Sequence, residues 1–223
     1  MGNVIGQILP VAVAVAVSPV PIIAVILMLF TPRARTNSVA FLFGWLLGLI
    51  VVGSIVLIAG DVASDDSGES TVSGVIKLVL GLLFLALAVR NWRSRPRAGE
   101  DAELPSWMAA IDDFGAGKSA GIAALLSGVN PKNLALTVAG AATIAAAGLT
   151  TGEQISAFAV FVAIASITVA APVLVYLIMG ERVQDGLNTL KEWLIANNNT
   201  VMAVLFVVFG AKLLGDAISI LSG

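Results

Sequence analysis

Apolar positions in this chain run on without alternating with polar ones. Residues 1–32 and 36–60 hold no charged side chain, 70–89 only Lys77, 119–152 only Lys132, 154–180 none, and 193–215 only Lys212. A helix needs ~20 mostly apolar residues to cross ~30 Å of hydrocarbon. The runs therefore predict six membrane spans, near 4–30, 37–60, 72–91, 118–147, 154–179 and 199–220. A membrane β-barrel would show ~10-residue alternating segments, whereas these runs are continuous and rich in Leu, Ala and Val, so the expected fold class is an all-α integral membrane protein. The first run has no Lys or Arg ahead of Arg33 and is longer than the apolar region of a signal peptide, so it reads as a retained helix.

The polar islands between runs differ in sign. Arg33 and Arg35 follow span 1; Arg90, Arg93, Arg95, Arg97 and Lys118 lie between spans 3 and 4; Arg182 and Lys191 lie between spans 5 and 6. The remaining connections carry only acids, namely Asp61, Asp65, Asp66, Glu69 and Glu153. By the positive-inside rule both termini are expected outside, with connections 1–2, 3–4 and 5–6 in the cytoplasm. The longest connection, 92–117, begins basic and turns acidic, and Pro96 and Pro105 break it. Within it Leu104, Trp107, Met108, Ile111 and Phe114 recur at roughly helical spacing, which predicts a short amphipathic segment at the cytoplasmic interface, or else a solvated linker with a Trp anchor.

This linker divides the chain into 1–91 and 118–223, each with three spans, and an odd number makes the two halves enter from opposite sides. If the halves share a fold they form two inverted three-helix repeats. Each also carries a break at a comparable depth: Ser18-Pro19-Val20-Pro21 in span 1 and Asn130-Pro131-Lys132-Asn133 in span 4. Both lie ~20 Å along their helices, near mid-membrane. Ser and Asn are strong N-cap residues, proline fits the first helical turn, and proline disfavours helix for the residue before it. Helices 1 and 4 are therefore expected to stop and restart, with freed amide hydrogens and a positive dipole end at each restart. Irregular backbone at that depth survives only inside protein or beside a watery cavity, and paired broken helices around a midplane site are a secondary-transporter pattern. The plain alternative is a pair of ordinary proline kinks.

Lys132 is the sharpest single residue. An ammonium near the bilayer centre costs at least ~2.5–3.5 kcal/mol, and no carboxylate lies in the central part of any span. Cavity water, carbonyls freed by the break, Ser18 or a negative substrate group could solvate it. Lys77 and Lys212 lie toward span ends, where snorkelling suffices, and Lys212 has Asp216 four residues on. Gly44 and Gly48 form a GxxxG pattern, and residues 139–148 form a smooth small-residue stretch. Both suit close helix contact within the bundle, with a homodimer as the other use.

Composition narrows the chemistry. The chain is 58% hydrophobic and 12% charged, with neither His nor Cys; imidazole bases, thiolate relays, disulfides and Cys-ligated metal centres are excluded. There is no P-loop or dinucleotide fingerprint, and the spans hold no central Asp, Glu or His for a proton relay. The expectation is a non-enzyme with no cofactor, no metal and no nucleic-acid partner.

At the two breaks the chain resembles the lysine exporter superfamily, with six spans, a proline-rich break in span 1 and an "NPK" break in span 4. The "SPVP" of Ser18–Pro21, the "PRART" after span 1, the "RNW" closing span 3, the "LPSWM" of the linker and the "NPKNLAL" of Asn130–Leu136 are most similar to the peptidoglycolipid addressing protein family, which takes in the sulfolipid-addressing proteins. That resemblance implies a multi-pass protein of the bacterial inner membrane that helps move envelope glycolipids outward, often beside a large lipid exporter. It also implies a substrate site on Ser18, Pro19, Pro21, Asn130, Pro131 and Lys132, the residues singled out by the break, with Asn133 beside them. Amino-acid-exporting relatives carry an Asn soon after the first prolines; here Pro21 is followed by Ile22 and Ile23, which argues against an amino-acid substrate. The expected partners are thus membrane lipids, a larger lipid exporter and a second copy of the chain. The readings carried forward are a transporter or flippase for an anionic amphipathic lipid, a non-transporting accessory subunit, and an exporter of small amphiphiles such as amino acids.

Overall fold

Helices end where the sequence supplies a proline, a glycine or a cluster of polar residues. The structure, a computed structural model, describes residues 1–63, 71–96 and 106–222. Asp65, Asp66 and Glu69 of the acidic connection, and Arg97, Leu104 and Pro105 of the linker, lie outside the described residues. Among the described residues all regular structure is helical. The chain forms α1 (Gly2–Ala16), α2 (Pro19–Leu29), α3 (Ala34–Ala63), α4 (Thr71–Arg93), a short 3-10 helix (Ser106–Asp113), α5 (Ala116–Gly128), α6 (Pro131–Ala145), α7 (Thr151–Met179), a single 3-10 turn (Gly180–Val183) and α8 (Gln184–Ser222).

Spans 1 and 4 of the sequence are thus each two helices. Span 6 is longer than its apolar run: α8 takes in 39 residues, about 58 Å at the helical rise. Its first turns, with Asp185, Lys191 and Glu192, are polar and continue the apolar helix toward its N-terminus. The start of α7 is set by a capping box, in which the Thr150 side chain accepts from the Glu153 amide while the Glu153 carboxylate accepts from the Thr150 amide at 3.0 Å. It ends at Gly180, whose φ of +63° is the left-handed conformation that a glycine adopts without strain.

Ala34–Gly60 and the stretch Thr151–Ser222 are long and apolar enough to cross a membrane, and α1 with α2 passes the same test as a pair bent by 52°. Outward-facing Phe43, Ile55, Ile58 and Ile178 are more than half exposed, an apolar surface that suits lipid tails better than water. The apolar helices fit a membrane protein.

The helices gather into two units. The first, Met1–Ser64 with Leu104–Lys191, holds α1, α2, α3, the 3-10 helix, α5, α6 and α7. Its centre is α2, apolar all round and buried at nine of its eleven positions, as a helix enclosed by others must be. Around it pack α7 and α3, with α1 against α6 and α7, and α3 against α5. Gly44 and Gly48 serve that last contact: a Cβ on Gly44 would strike the Ala120 carbonyl, and one on Gly48 would strike Ser127 Oγ and the Ala124 carbonyl. The small-residue face is used inside the bundle, and Gly140 of the second small-residue stretch lies against the Phe161 ring.

The short 3-10 helix also belongs to this unit. Met108, Ile111 and Phe114 are buried, the helix packs on α2, and the Phe114 carbonyl accepts from Asn37 Nδ2 at 2.8 Å. These apolar residues pack on protein, because the end of α2 offers an apolar surface next to them in space.

In the second unit, Asp65–Glu103 with Glu192–Gly223, α4 lies antiparallel to the later part of α8. Gly74 faces Leu221, Gly81 and Gly210 meet back to back, Phe84 and Phe206 stack edge to face at 5.3 Å, and Asn199 donates to the Ser94 carbonyl. Lys212 pairs with Asp216 at 3.0 Å, on an exposed face.

Candidate functional site

The first helix is interrupted at Val17 and Ser18. Ser18 is extended (φ −126°, ψ 93°), as a residue before proline prefers, and Pro19 opens α2. The second interruption falls at Val129 and Asn130, and Pro131 opens α6. The sequence gives both restarts an N-cap residue, and the structure uses the two differently. Asn130 caps as expected, its side chain accepting from the Lys132 amide at 3.1 Å. Ser18 occupies the N-cap position without capping; its hydroxyl donates across to Asn133 Oδ1 at 3.2 Å. With Pro19 and Pro21 lacking an N–H and the Ile22 amide donating back to the Ser18 carbonyl, Val20 is the one amide left of the first four in α2. The freed donors expected there are mostly removed by the prolines themselves.

What the first break exposes instead is carbonyls, and the second break satisfies them. Lys132 is buried, 4% exposed, and its Nζ donates to the Ala14 carbonyl at 2.8 Å and the Val17 carbonyl at 2.9 Å. Carbonyls freed by the break, one of the solvating groups expected for it, accept two of its hydrogens. The electrostatics are consistent: as second residue of α6 the cation would oppose the positive end of its own helix, and its stem carries it to the negative, carbonyl end of α1. No Asp or Glu occurs in α1, α2, α5 or α6, so helix-end dipoles act as the counter-charge.

Asn133, fully buried, ties three helix ends together. Its Oδ1 accepts from Ser18 at the start of α2, its Nδ2 donates to the Leu126 carbonyl near the end of α5 at 2.9 Å, and it sits in the first turn of α6. All seven singled-out residues therefore lie on the two breaks; across them Ser18 bonds Asn133, and Lys132 bonds the Ala14 and Val17 carbonyls. Pro19, Pro21 and Pro131 shape backbone.

Sequence reasoning missed Thr168, whose hydroxyl on α7 donates to the Ala16 carbonyl at 2.6 Å and closes the third side of the first break. A threonine in an apolar span carries no signal of its own, and only the packing of α1 on α7 identifies it. Thr137, one turn past Asn133, and Ser166 on α7 are buried hydroxyls without a hydrogen-bond partner among the described residues. The site has donors for an anion or for carbonyls. Among the described residues no cluster of His, Cys, Asp or Glu is arranged to hold a metal ion.

The family model described as Sap, sulfolipid-1-addressing protein, matches residues 8–219, which take in both breaks. No curated protein and no solved structure matches the chain.

Proposed function

Because the chain belongs to the sulfolipid-1-addressing protein family, we propose that its lipid-related membrane role is export: it acts as a transporter or flippase for an envelope glycolipid or a similar anionic amphipathic lipid. In this reading the six spans form two inverted repeats, 1–91 and 118–223, as in the lysine exporter superfamily. The chain sits in the bacterial inner membrane with both termini outside, and the polar end of the lipid passes the two breaks.

The observation that carries the reading is the crossed bonding of the breaks. A helix interrupted in the membrane leaves carbonyls that must be satisfied, and a continuous helix would do so at no further cost. Here the α1 carbonyls depend on Lys132 from the other half, and Ser18 depends on Asn133. Such bonds join halves that a transport cycle parts, and their donors are then free for water or for a headgroup oxygen. An ammonium has three hydrogens; two meet carbonyls, and the third has no acceptor among the described residues.

The test is export in cells. Lipids of the outer envelope are measured by mass spectrometry with the natural chain, without it, and with Lys132→Met at matched protein level. Expected is a loss of at least about tenfold in one anionic lipid class, since the change strips a buried site of a charged donor. Unchanged export at normal abundance sinks the reading. The accessory-subunit reading is separated by liposomes holding the purified chain alone: labelled lipid that flips in them rules out a purely accessory role beside a larger exporter.

A further inference from the structure

A second cationic feature lies in the first unit, away from the breaks. Helix α2 runs from the first break to Phe30, about 16 Å by the helical rise, and basic residues from separate parts of the chain gather at that end. Lys191 Nζ stands over the Phe30 ring at 5.2 Å, and Phe30 is 38% exposed. Arg33 follows three residues later, with its guanidinium against Gly115. Lys118 Nζ lies 5.9 Å from the ring centre of Phe114, whose carbonyl is bonded to Asn37 of α3.

These cations lack carboxylate partners. Asp112 and Asp113 are nearby in sequence and exposed, yet among the described residues Arg33, Arg35, Lys118 and Lys191 make no ion pair. Two of the three central charges rest on aromatic rings, which hold a cation in place without neutralising it. The carbonyl end of α2 favours positive charge there as well. Unpaired cations on rings at the end of a membrane helix match one occupant in particular. An anionic headgroup brings phosphate or sulfate oxygens to the charges while its acyl chains lie along the apolar helices.

We infer that Arg33, Lys118 and Lys191, seated around Phe30 and Phe114, form a docking site for the anionic headgroup of a membrane lipid at the C-terminal end of α2. The site selects phosphate- or sulfate-bearing lipid at the membrane surface, one half-helix away from the breaks. It rests on the lipid reading above for the choice of occupant and is independent of whether the chain transports.

The test is binding, read without transport. The full chain in non-ionic detergent is titrated with dioctanoyl phosphatidylglycerol, dioctanoyl phosphatidylcholine or inorganic phosphate, and adducts are counted by native mass spectrometry. The glycerophospholipid anion is expected to bind about fivefold or more tighter than the zwitterion, with about a fivefold loss for each cation removed in Arg33→Gln, Lys118→Gln and Lys191→Gln. Raising the salt should weaken the binding, and Lys212→Gln should leave it unchanged. Equal binding of the two lipids, or a combined variant that binds like the natural chain, overturns the site. Displacement of the lipid by equimolar inorganic phosphate overturns the lipid assignment. If the combined variant does not purify folded, the surface change Lys191→Gln alone decides, and undiminished binding counts against the site. Export with Lys132→Met is a separate readout, so failure of this site and failure of the transport reading are told apart.

Discussion

At the scale of single residues, one asymmetry decides how the breaks work. Ser18 and Asn130 are both N-cap types before proline, but only Asn130 caps, because Ser18 has an acceptor across the bundle in Asn133. The Ser18–Asn133 bond joins residues 115 positions apart, and its energy is measurable as a coupling. In a cycle of Ser18→Ala, Asn133→Ala and the double variant, unfolding in detergent should show a coupling of at least about 0.5 kcal/mol. Additive costs would place the two side chains apart. Lys132 is the residue where sequence and structure meet most directly: a buried cation without a carboxylate needs dipoles, and a broken helix presents them.

At the scale of elements, the small-residue faces and the linker each have a definite packing partner. Gly48 lies against Ser127 and Ala124, so Gly48→Leu should force α3 off α5 and cut the yield of folded protein severely, read by size-exclusion chromatography after detergent extraction. Gly6, with nothing within 4 Å of its Cβ position, provides the contrast; Gly6→Ala should be neutral or stabilise by up to about 1 kcal/mol through helix propensity. The 3-10 helix gives a sharper test. Ile111 is 2% exposed, so Ile111→Ala should cost about 2–5 kcal/mol in unfolding measurements, whereas a residue dipping into lipid headgroups would register only a small change.

At the scale of the whole molecule, orientation is the next quantity to measure, and the chain is suited to it because it contains no cysteine. Gly117 and Gly152 have open space around their Cβ positions, so cysteines there should not disturb packing. The charge pattern predicts that Gly152→Cys reacts with a membrane-impermeant thiol reagent in intact cells and that Gly117→Cys reacts only after lysis. The reverse pattern would invert the expected topology and with it the side on which the Arg33 patch lies.

Sequence by itself determined the helical class, the places where helices 1 and 4 stop, and the oddity of Lys132, because each is a local property. Charge-free runs set helices in lipid, proline removes an amide wherever it stands, and a lone cation among apolar residues demands a partner. Tertiary structure decided who the partners are. Only packing brings α6 against the carbonyl end of α1, turns Ser18 from a cap into a donor for Asn133, adds Thr168 from α7, and draws the linker helix onto α2. These contacts depend on which surfaces meet after the chain has doubled back, and a pattern read along one dimension carries no record of that meeting.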